Sequence, residues 1–398
     1  MTLDYQGLTQ QIRTVGEQAL QAYQRLQVRK QLAHTLFEKH AQQVYVLRQK
    51  VEQAATLVPS LRCALPLEEP LDAHFSVSTT SQPHLVLAAD GSQIFPDRHA
   101  QVNYYLINVG TILWQGGGEM PQINTQTHLF FNEEYFSSDL SSSEMISLRR
   151  DLMEREVLAK RVQEAKAVPH YASLPIITLT DGTLGLWGIP DQEEESSHGV
   201  YRQALQDYLK VLTSLRDVQA ITAAYVDKPR VDWLVRLLEI AELDDMRLKK
   251  AARLELLTGV TDEDLLGERL APGERSAVFG IQAQFANAYR DELALHFFYL
   301  NVGNLASPWL VRVEIPAWVA FSASQIELLQ AVLLEQCQLM GAHPYPYLLH
   351  RAHEAAVVTQ AEKEQVDLML IRELNRCGLP VGFESQKQFH KNSNKRRI

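Results

Sequence analysis

Cysteine is scarce in this chain: Cys63, Cys337 and Cys377 are scattered and odd in number among 398 residues. That supports no disulfide framework and suits a reducing compartment. No run of about 18 apolar residues occurs, which predicts no membrane-spanning helix and no membrane partner. The opening Met1-Thr-Leu-Asp-Tyr-Gln lacks the basic-then-apolar layout of a secretory signal, so the expectation is a cytoplasmic protein. A Gly-x-x-x-x-Gly-Lys-Ser/Thr loop is missing, so any ATP-driven work would have to come from another protein. A surplus of positive charge is lacking too: 38 Lys and Arg stand against 48 Asp and Glu, a net charge of −10. A surface that is basic all over is thereby excluded, whereas one local basic channel for nucleic acid is not.

What is present reads as an α/β protein with a mixed sheet flanked by helices. Residues 1–58 form a helical arm for dimerisation or docking, because Leu8, Ile12, Val15, Ala19, Tyr23 and Leu26 recur at steps of three and four and no proline precedes Pro59. Residues 59–83, with Pro59, Pro66, Pro70 and Pro83, read as a linker. The core spans 84–385. It opens with a strand ending at Asp90, a second from Gln101 to Val109 that Gly110 breaks, and a third from Ile123 to Phe131, an antiparallel meander. A helix from Ser143 to Ala167 and a strand ending at Asp181 follow. A helical insertion around 190–270 is interrupted by a strand at Val218–Val226, and further strands and helices close the domain. The tail 386–398, with Lys387, Lys391, Lys395, Arg396 and Arg397 and no acid, reads as flexible and as a non-specific nucleic-acid contact. Strand, strand, strand, helix, strand is the opening order of ribonuclease-H-like cores, in which the first and fourth strands lie side by side.

The chemistry rests on two similar stretches, Leu85-Val-Leu-Ala-Ala-Asp90-Gly-Ser and Leu174-Pro-Ile-Ile-Thr-Leu-Thr-Asp181-Gly-Thr. Each aspartate is expected where a buried strand gives out, with Gly91-Ser92 and Gly182-Thr183 turning the chain. Two carboxylates brought together at one sheet edge require a cation between them. Phosphodiester hydrolysis by two hard divalent ions needs such convergent acids. Glu154 is the first choice for a third acid on the intervening helix, with Glu156 second and Glu164 third. The bland alternative is that Asp-Gly-Ser and Asp-Gly-Thr are turn chemistry alone. A haloacid-dehalogenase-type phosphatase is excluded because its nucleophile would fall on Leu179. His343, His350 and His353, interleaved with Tyr345 and Tyr347, could bind zinc, but no cysteine lies near; a proton-donating or phosphate-binding His with a supporting Tyr is the better reading. Lys228 and Arg230 follow a strand, where Lys228 could face a scissile phosphate.

Taken in order, Ala89-Asp90-Gly-Ser, Arg150-Asp-Leu-Met-Glu154, Thr180-Asp181-Gly-Thr-Leu, Ala224-Tyr-Val-Asp-Lys-Pro-Arg230, Leu270-Ala-Pro-Gly-Glu-Arg-Ser276, Arg312-Val-Glu-Ile-Pro-Ala-Trp318 and the closing Tyr345–His353 segment resemble the NurA-domain nucleases over about residues 85–375. The resemblance implies a ribonuclease-H-like core, manganese-dependent cleavage of DNA (magnesium being the alternative ion), a homodimer, and partnership with a HerA-type hexameric ATPase in double-strand-break end processing. It also implies that Asp90, Asp181 and Glu154 hold the metal, and that Tyr345 and His353 are the C-terminal active-site pair. Readings from other classes are a non-catalytic DNA-end clamp for a motor ATPase and an RNA-cleaving enzyme of the same fold.

Overall fold

The structure, a computed structural model, describes residues 3–77, 82–96, 104–116, 120–131, 143–186 and 195–378. In chain order the elements are helices α1 (Tyr5–His40) and α2 (Val44–Leu57), then strands β1 (Cys63–Pro66), β2 (His74–Phe75), β3 (Leu85–Ile94), β4 (Tyr105–Gln115) and β5 (Gln122–Phe130). Helix α3 (Ser143–Ala167), strand β6 (Ile176–Asp181), helix α4 (Glu195–Asp217) and strand β7 (Ile221–Val226) follow. Next come α5 (Trp233–Ala241), a 3-10 segment at Asp245–Ala252, α6 (Asp262–Leu266), β8 (Arg275–Ser276), β9 (Phe279–Gln282), β10 (Leu295–Asn301) and β11 (Leu310–Pro316). The last are α7 (Ala317–Ala320), α8 (Ala323–Gln338), α9 (Tyr347–Ala356) and α10 (Gln360–Arg376). This is a mixed α/β protein whose sheet strands are flanked by helices. Among the described residues no helix is long and apolar enough to cross a membrane.

The chain divides into two compact units, residues 1–80 with 224–344, and 81–223 with 345–398. In the first, strands run in the order β1-β9-β10-β11-β7, the last through Ala224–Val226. The stretch expected as a linker supplies two strands: β1 pairs antiparallel with β9, and β2 with β8. Pro66 is tolerated there because it ends an edge strand. Asp262 is wholly buried in this unit, and its carboxylate accepts from Leu234 N at 2.9 Å, Val235 N at 3.1 Å and Tyr299 OH at 2.6 Å. It thus caps the first turn of α5, for which Asp232 gives no side-chain bond. Along α1 the apolar residues Tyr5, Leu8, Ile12, Val15 and Tyr23 stay exposed, whereas Ala33, Leu36 and Phe37 near its end are buried.

The second unit holds the order β5-β4-β3-β6. The meander is antiparallel from Leu85↔Gln115 to Ile94↔Leu106 and from Tyr105↔Phe130 to Leu113↔Gln122. Strand β6 lies parallel to β3, from Leu85↔Ile176 to Ala89↔Thr180. Helix α3 closes one face by packing Ile146, Met153 and Val157 on Tyr105, Ile107 and Val109. Helix α10 covers Ile94, Tyr104 and Leu106 with Val366, Leu370, Ile371 and Leu374. A capping box starts α10: the Thr359 hydroxyl accepts from Glu362 N, and the Glu362 carboxylate accepts from Thr359 N.

Two strand boundaries differ from expectation for packing reasons. Gly110 does not break β4; it lies inside it, where a Cβ would come within 2.6 Å of Ala352 O and 2.7 Å of Ala356 N. Glycine here lets helix α9 seat on the sheet. Likewise Asp90-Gly-Ser is no turn: β3 continues to Ile94 because its hairpin with β4 outruns the parallel partner. The acidic run 191–194 and the basic tail 386–398 lie outside the described residues.

Candidate active site

Parallel pairing of β3 with β6 ends at Ala89↔Thr180, so the next residue on each strand is an aspartate, Asp90 beside Asp181. Neighbouring strands lie about 4.8 Å apart, and side chains alternate between faces, so the two carboxylates share a face. Beyond that point β3 runs on with β4 alone. The two acids therefore meet where the pairing of β3 with β6 ends, with β4 still paired to β3 on the other side of Asp90.

Asp-Gly-Ser divides its work between the two faces. On one, Asp90 Oδ2 lies 2.6 Å from His353 Nδ1, and its other oxygen accepts from Gly91 N at 2.8 Å. Asp181 Oδ1 accepts from Tyr345 OH at 3.0 Å. Both partners come from one short segment, Tyr345 and helix α9. That helix is tied down at its end: Ser92 Oγ donates to Ala356 O at 2.5 Å, and Asn108 Nδ2 donates to the same carbonyl at 2.8 Å. Thr127 Oγ1 in turn donates to Asn108 Oδ1 at 2.7 Å, which fixes the amide's orientation.

On the opposite face Gly91 meets α3. A Cβ there would lie 2.5 Å from Glu154 Oε1 and 2.9 Å from Arg150 Cγ, so the glycine makes room for the acid. Glu154 is buried, and burial pushes its carboxyl up to about 8. Arg155 and Arg150 pull it down, Asp151 and Asp90 push it further up, and burial outweighs the two guanidiniums. Arg150 Nε lies 3.1 Å from Glu154 Oε1, and the same guanidinium donates to Gln93 Oε1 at 2.8 Å and Asp151 Oδ1 at 2.7 Å. Arg155 reaches the other way: Nη1 donates to Asp151 O and Nη2 to Thr183 O, each at 2.8 Å. One helical turn thus carries Glu154 and also holds the loop that follows Asp181.

Residues 84–358 match the family model described as the NurA domain, well over half of the chain. The chain belongs to the NurA-domain family of nucleases. A crystal structure of NurA with manganese is 10% identical and covers 83% of this chain and 96% of its own, with a TM-score of 0.38. A further crystal structure of NurA is 12% identical, covering 75% and 91%, with a TM-score of 0.37. One of NurA bound to dAMP and manganese is 10% identical, covering 72% and 88%, with a TM-score of 0.36. No curated protein matches the chain in sequence.

Within the NurA domain the structure brings Asp90 to His353, Asp181 to Tyr345, and Glu154 to Gly91 and Arg150. Glu156 and Glu164 point to solvent, and Glu164 is paired with Arg161 at 2.6 Å. A helix turns about 100° per residue, so only one of Glu154 and Glu156 can face β3. His350 lies 3.5 Å from Glu354. Among the described residues no group of three or more His, Cys, Asp or Glu side chains is gathered to hold a metal ion. It means that the three acids are not drawn into one cluster; each is turned to a protein donor. Their donor chemistry suits a hard cation, all three being carboxylate oxygens: two are neighbours by register, and the third, against Gly91 on the other face, is an acid whose burial raises it. Lys228, in the other unit, holds a positive φ of 46° and sets its ammonium 4.1 Å over the Trp309 ring.

Sequence reasoning missed the roles of Ser92, Gly110 and Arg155. Arg150 carried a usable signal, since an arginine four residues before a glutamate lies on the same helical stripe.

Proposed function

We propose that this NurA-domain protein hydrolyses DNA phosphodiester bonds with manganese, magnesium being the alternative ion, in processing double-strand-break ends beside a HerA-type hexameric ATPase. The meander β3–β4–β5, helix α3 and the parallel strand β6 support a ribonuclease-H-like core for it. The observation that carries the reading is the adjacency of Asp90 and Asp181, each engaged by a side chain from the single segment 345–353. Asp90, Asp181 and Glu154 would hold the ions, and manganese accompanies NurA in two of the crystal structures. Bound divalent ions would polarise the phosphoryl oxygen and ease deprotonation of the attacking water.

The chain's own residues do the rest. With Nδ1–H given to the Asp90 carboxylate, His353 in its imidazolium form carries on its second ring nitrogen the proton that goes to the leaving oxygen. Tyr345 orients Asp181 through its hydroxyl, and Lys228 contacts the DNA backbone. Because no phosphate-binding loop occurs in the sequence, translocation falls to the partner ATPase. The exposed apolar stripe of α1 supports an arm, residues 1–58, for docking or self-association in a two-fold dimer.

End-labelled DNA incubated with each ion tests the reading. Cleavage in manganese, lost in Asp90→Ala with the fold intact, is the expected result. Undiminished cutting by Asp90→Ala would remove the site. Salt-sensitive binding without any product would leave the DNA-end clamp, and preferential cutting of a matched RNA would move the substrate.

A further inference from the structure

Strand β5 closes its side of the sheet, and among the described residues it pairs only with β4. An edge strand presents a row of backbone N–H and C=O groups, and natural proteins blunt such edges with charge, proline or bulges. Here Gln122-Ile-Asn-Thr-Gln-Thr-His-Leu-Phe130 contains none of Lys, Arg, Asp, Glu, Pro or Gly over nine residues. None of it is buried, and its two large aliphatic side chains, Ile123 and Leu129, are 53% and 45% exposed.

Between Ile123 and Leu129 the chemistry of the strand reads nearly the same from either end, while the outermost residues, Gln122 and Phe130, do not match. About Gln126 the flanking residues match as Thr125 with Thr127, Asn124 with His128, and Ile123 with Leu129. The faces agree with that pattern. Thr127 bonds Asn108 beneath α9, which places the odd-numbered side chains on that face. Phe130 stacks on Tyr105 at 4.5 Å beneath Arg149, which places the even-numbered ones on the face of α3. We propose that β5 pairs antiparallel with β5 of a second copy of this chain, about a two-fold axis through Gln126. Ile123 then lies opposite the partner's Leu129, and Asn124 opposite the partner's His128. An isologous interface must be self-complementary about its axis; a strand from another protein would need only to match it in one direction. The near-palindrome therefore commits the occupant to a second copy. The pairing rests on the two-fold assembly proposed above and not on the nuclease chemistry.

The test uses the full chain with Cys377→Ser, the other two cysteines being buried. Opposed positions of an antiparallel pair have Cα atoms about 4.5–5.5 Å apart, within reach of a disulfide. Gln126→Cys should give a dimeric band on mild oxidation. Asn124→Cys alone should not, and Asn124→Cys with His128→Cys should. Ile123→Lys with Leu129→Lys should raise the dimer dissociation midpoint at least tenfold by light scattering while the circular dichroism is unchanged. A monomeric parent protein at micromolar concentration would overturn the pairing. So would a dimer that fails to cross-link at 126, or one that cross-links equally through Asn124→Cys alone. A cross-linking protein that cuts no DNA would support the pairing while counting against the nuclease reading.

Discussion

Replacing Glu154 by glutamine in metal-free protein should make stability less dependent on pH and raise it at pH 8. Glu154 packs against Gly91 and Arg150 with its carboxyl raised from 4.5 to about 8 by burial. Between those values the folded chain binds a proton that the unfolded chain has released. Stability therefore falls as pH rises through the window, and the cost is complete only above about pH 8. At about 1.4 kcal/mol for each pH unit the ceiling is about 5 kcal/mol. Small movements of Arg150 and entry of water would reduce this to about 2–3 kcal/mol.

Urea unfolding in EDTA from pH 4.5 to 8.5 measures it, with the parent and Glu154→Gln compared at each pH so that other titrating groups cancel. The variant should match the parent near pH 4.5 and exceed it by about 2–3 kcal/mol at pH 8, with an unchanged denaturant slope. Manganese should stabilise the parent most at high pH, where it replaces the lost proton, and should do little for the variant. A difference between the two proteins that does not vary with pH would refute the burial argument.

Gly91→Ala should drive a Cβ against Glu154 Oε1 and the Cγ stems of Glu154 and Arg150, costing about 2 kcal/mol of stability while lowering metal-dependent cleavage at least tenfold. Gly110→Ala meets backbone atoms of α9, so about 3 kcal/mol of stability should be lost, read by thermal melting, and alanine at the neighbouring Thr111 should cost far less. Asp262→Ala strands two buried backbone donors and the Tyr299 hydroxyl, and a loss of about 3 kcal/mol in chemical unfolding is expected, with Asp262→Asn in between. If Asp262→Ala unfolded at the parent midpoint, the cap on α5 would be energetically idle.

The elements legible in the sequence were those whose pattern is local. Helix α3 is found over the expected Ser143–Ala167, and β5 and β6 lie where their composition and flanking breakers place them. The pairing of the first and fourth strands followed from element order. What escaped depended on partners far along the chain. Gly110 reads as a breaker until the backbone of α9, more than 240 residues later, is placed against it. Cys63–Pro66 reads as linker because its partner, Phe279–Gln282, lies beyond any sequence window. Asp90-Gly-Ser reads as a turn because nothing local shows that β4 is long enough to keep the strand extended to Ile94.

The same long-range dependence gives the candidate site its logic. Asp90 and Ser92 share a face: one side chain holds the ring of His353, the other holds the carbonyl that ends His353's helix. Gly91 between them faces the other way and admits Glu154. Three consecutive residues thus set the acid, the imidazole and the buried carboxyl, and a one-residue slip of β3 against β4 would invert all three at once. The slip is opposed by the close approach of Gly110 to α9, which every other residue of β4 would block with its Cβ. Accuracy in this site is therefore a matter of strand register, and the residues that fix register matter to it as much as those that carry charge.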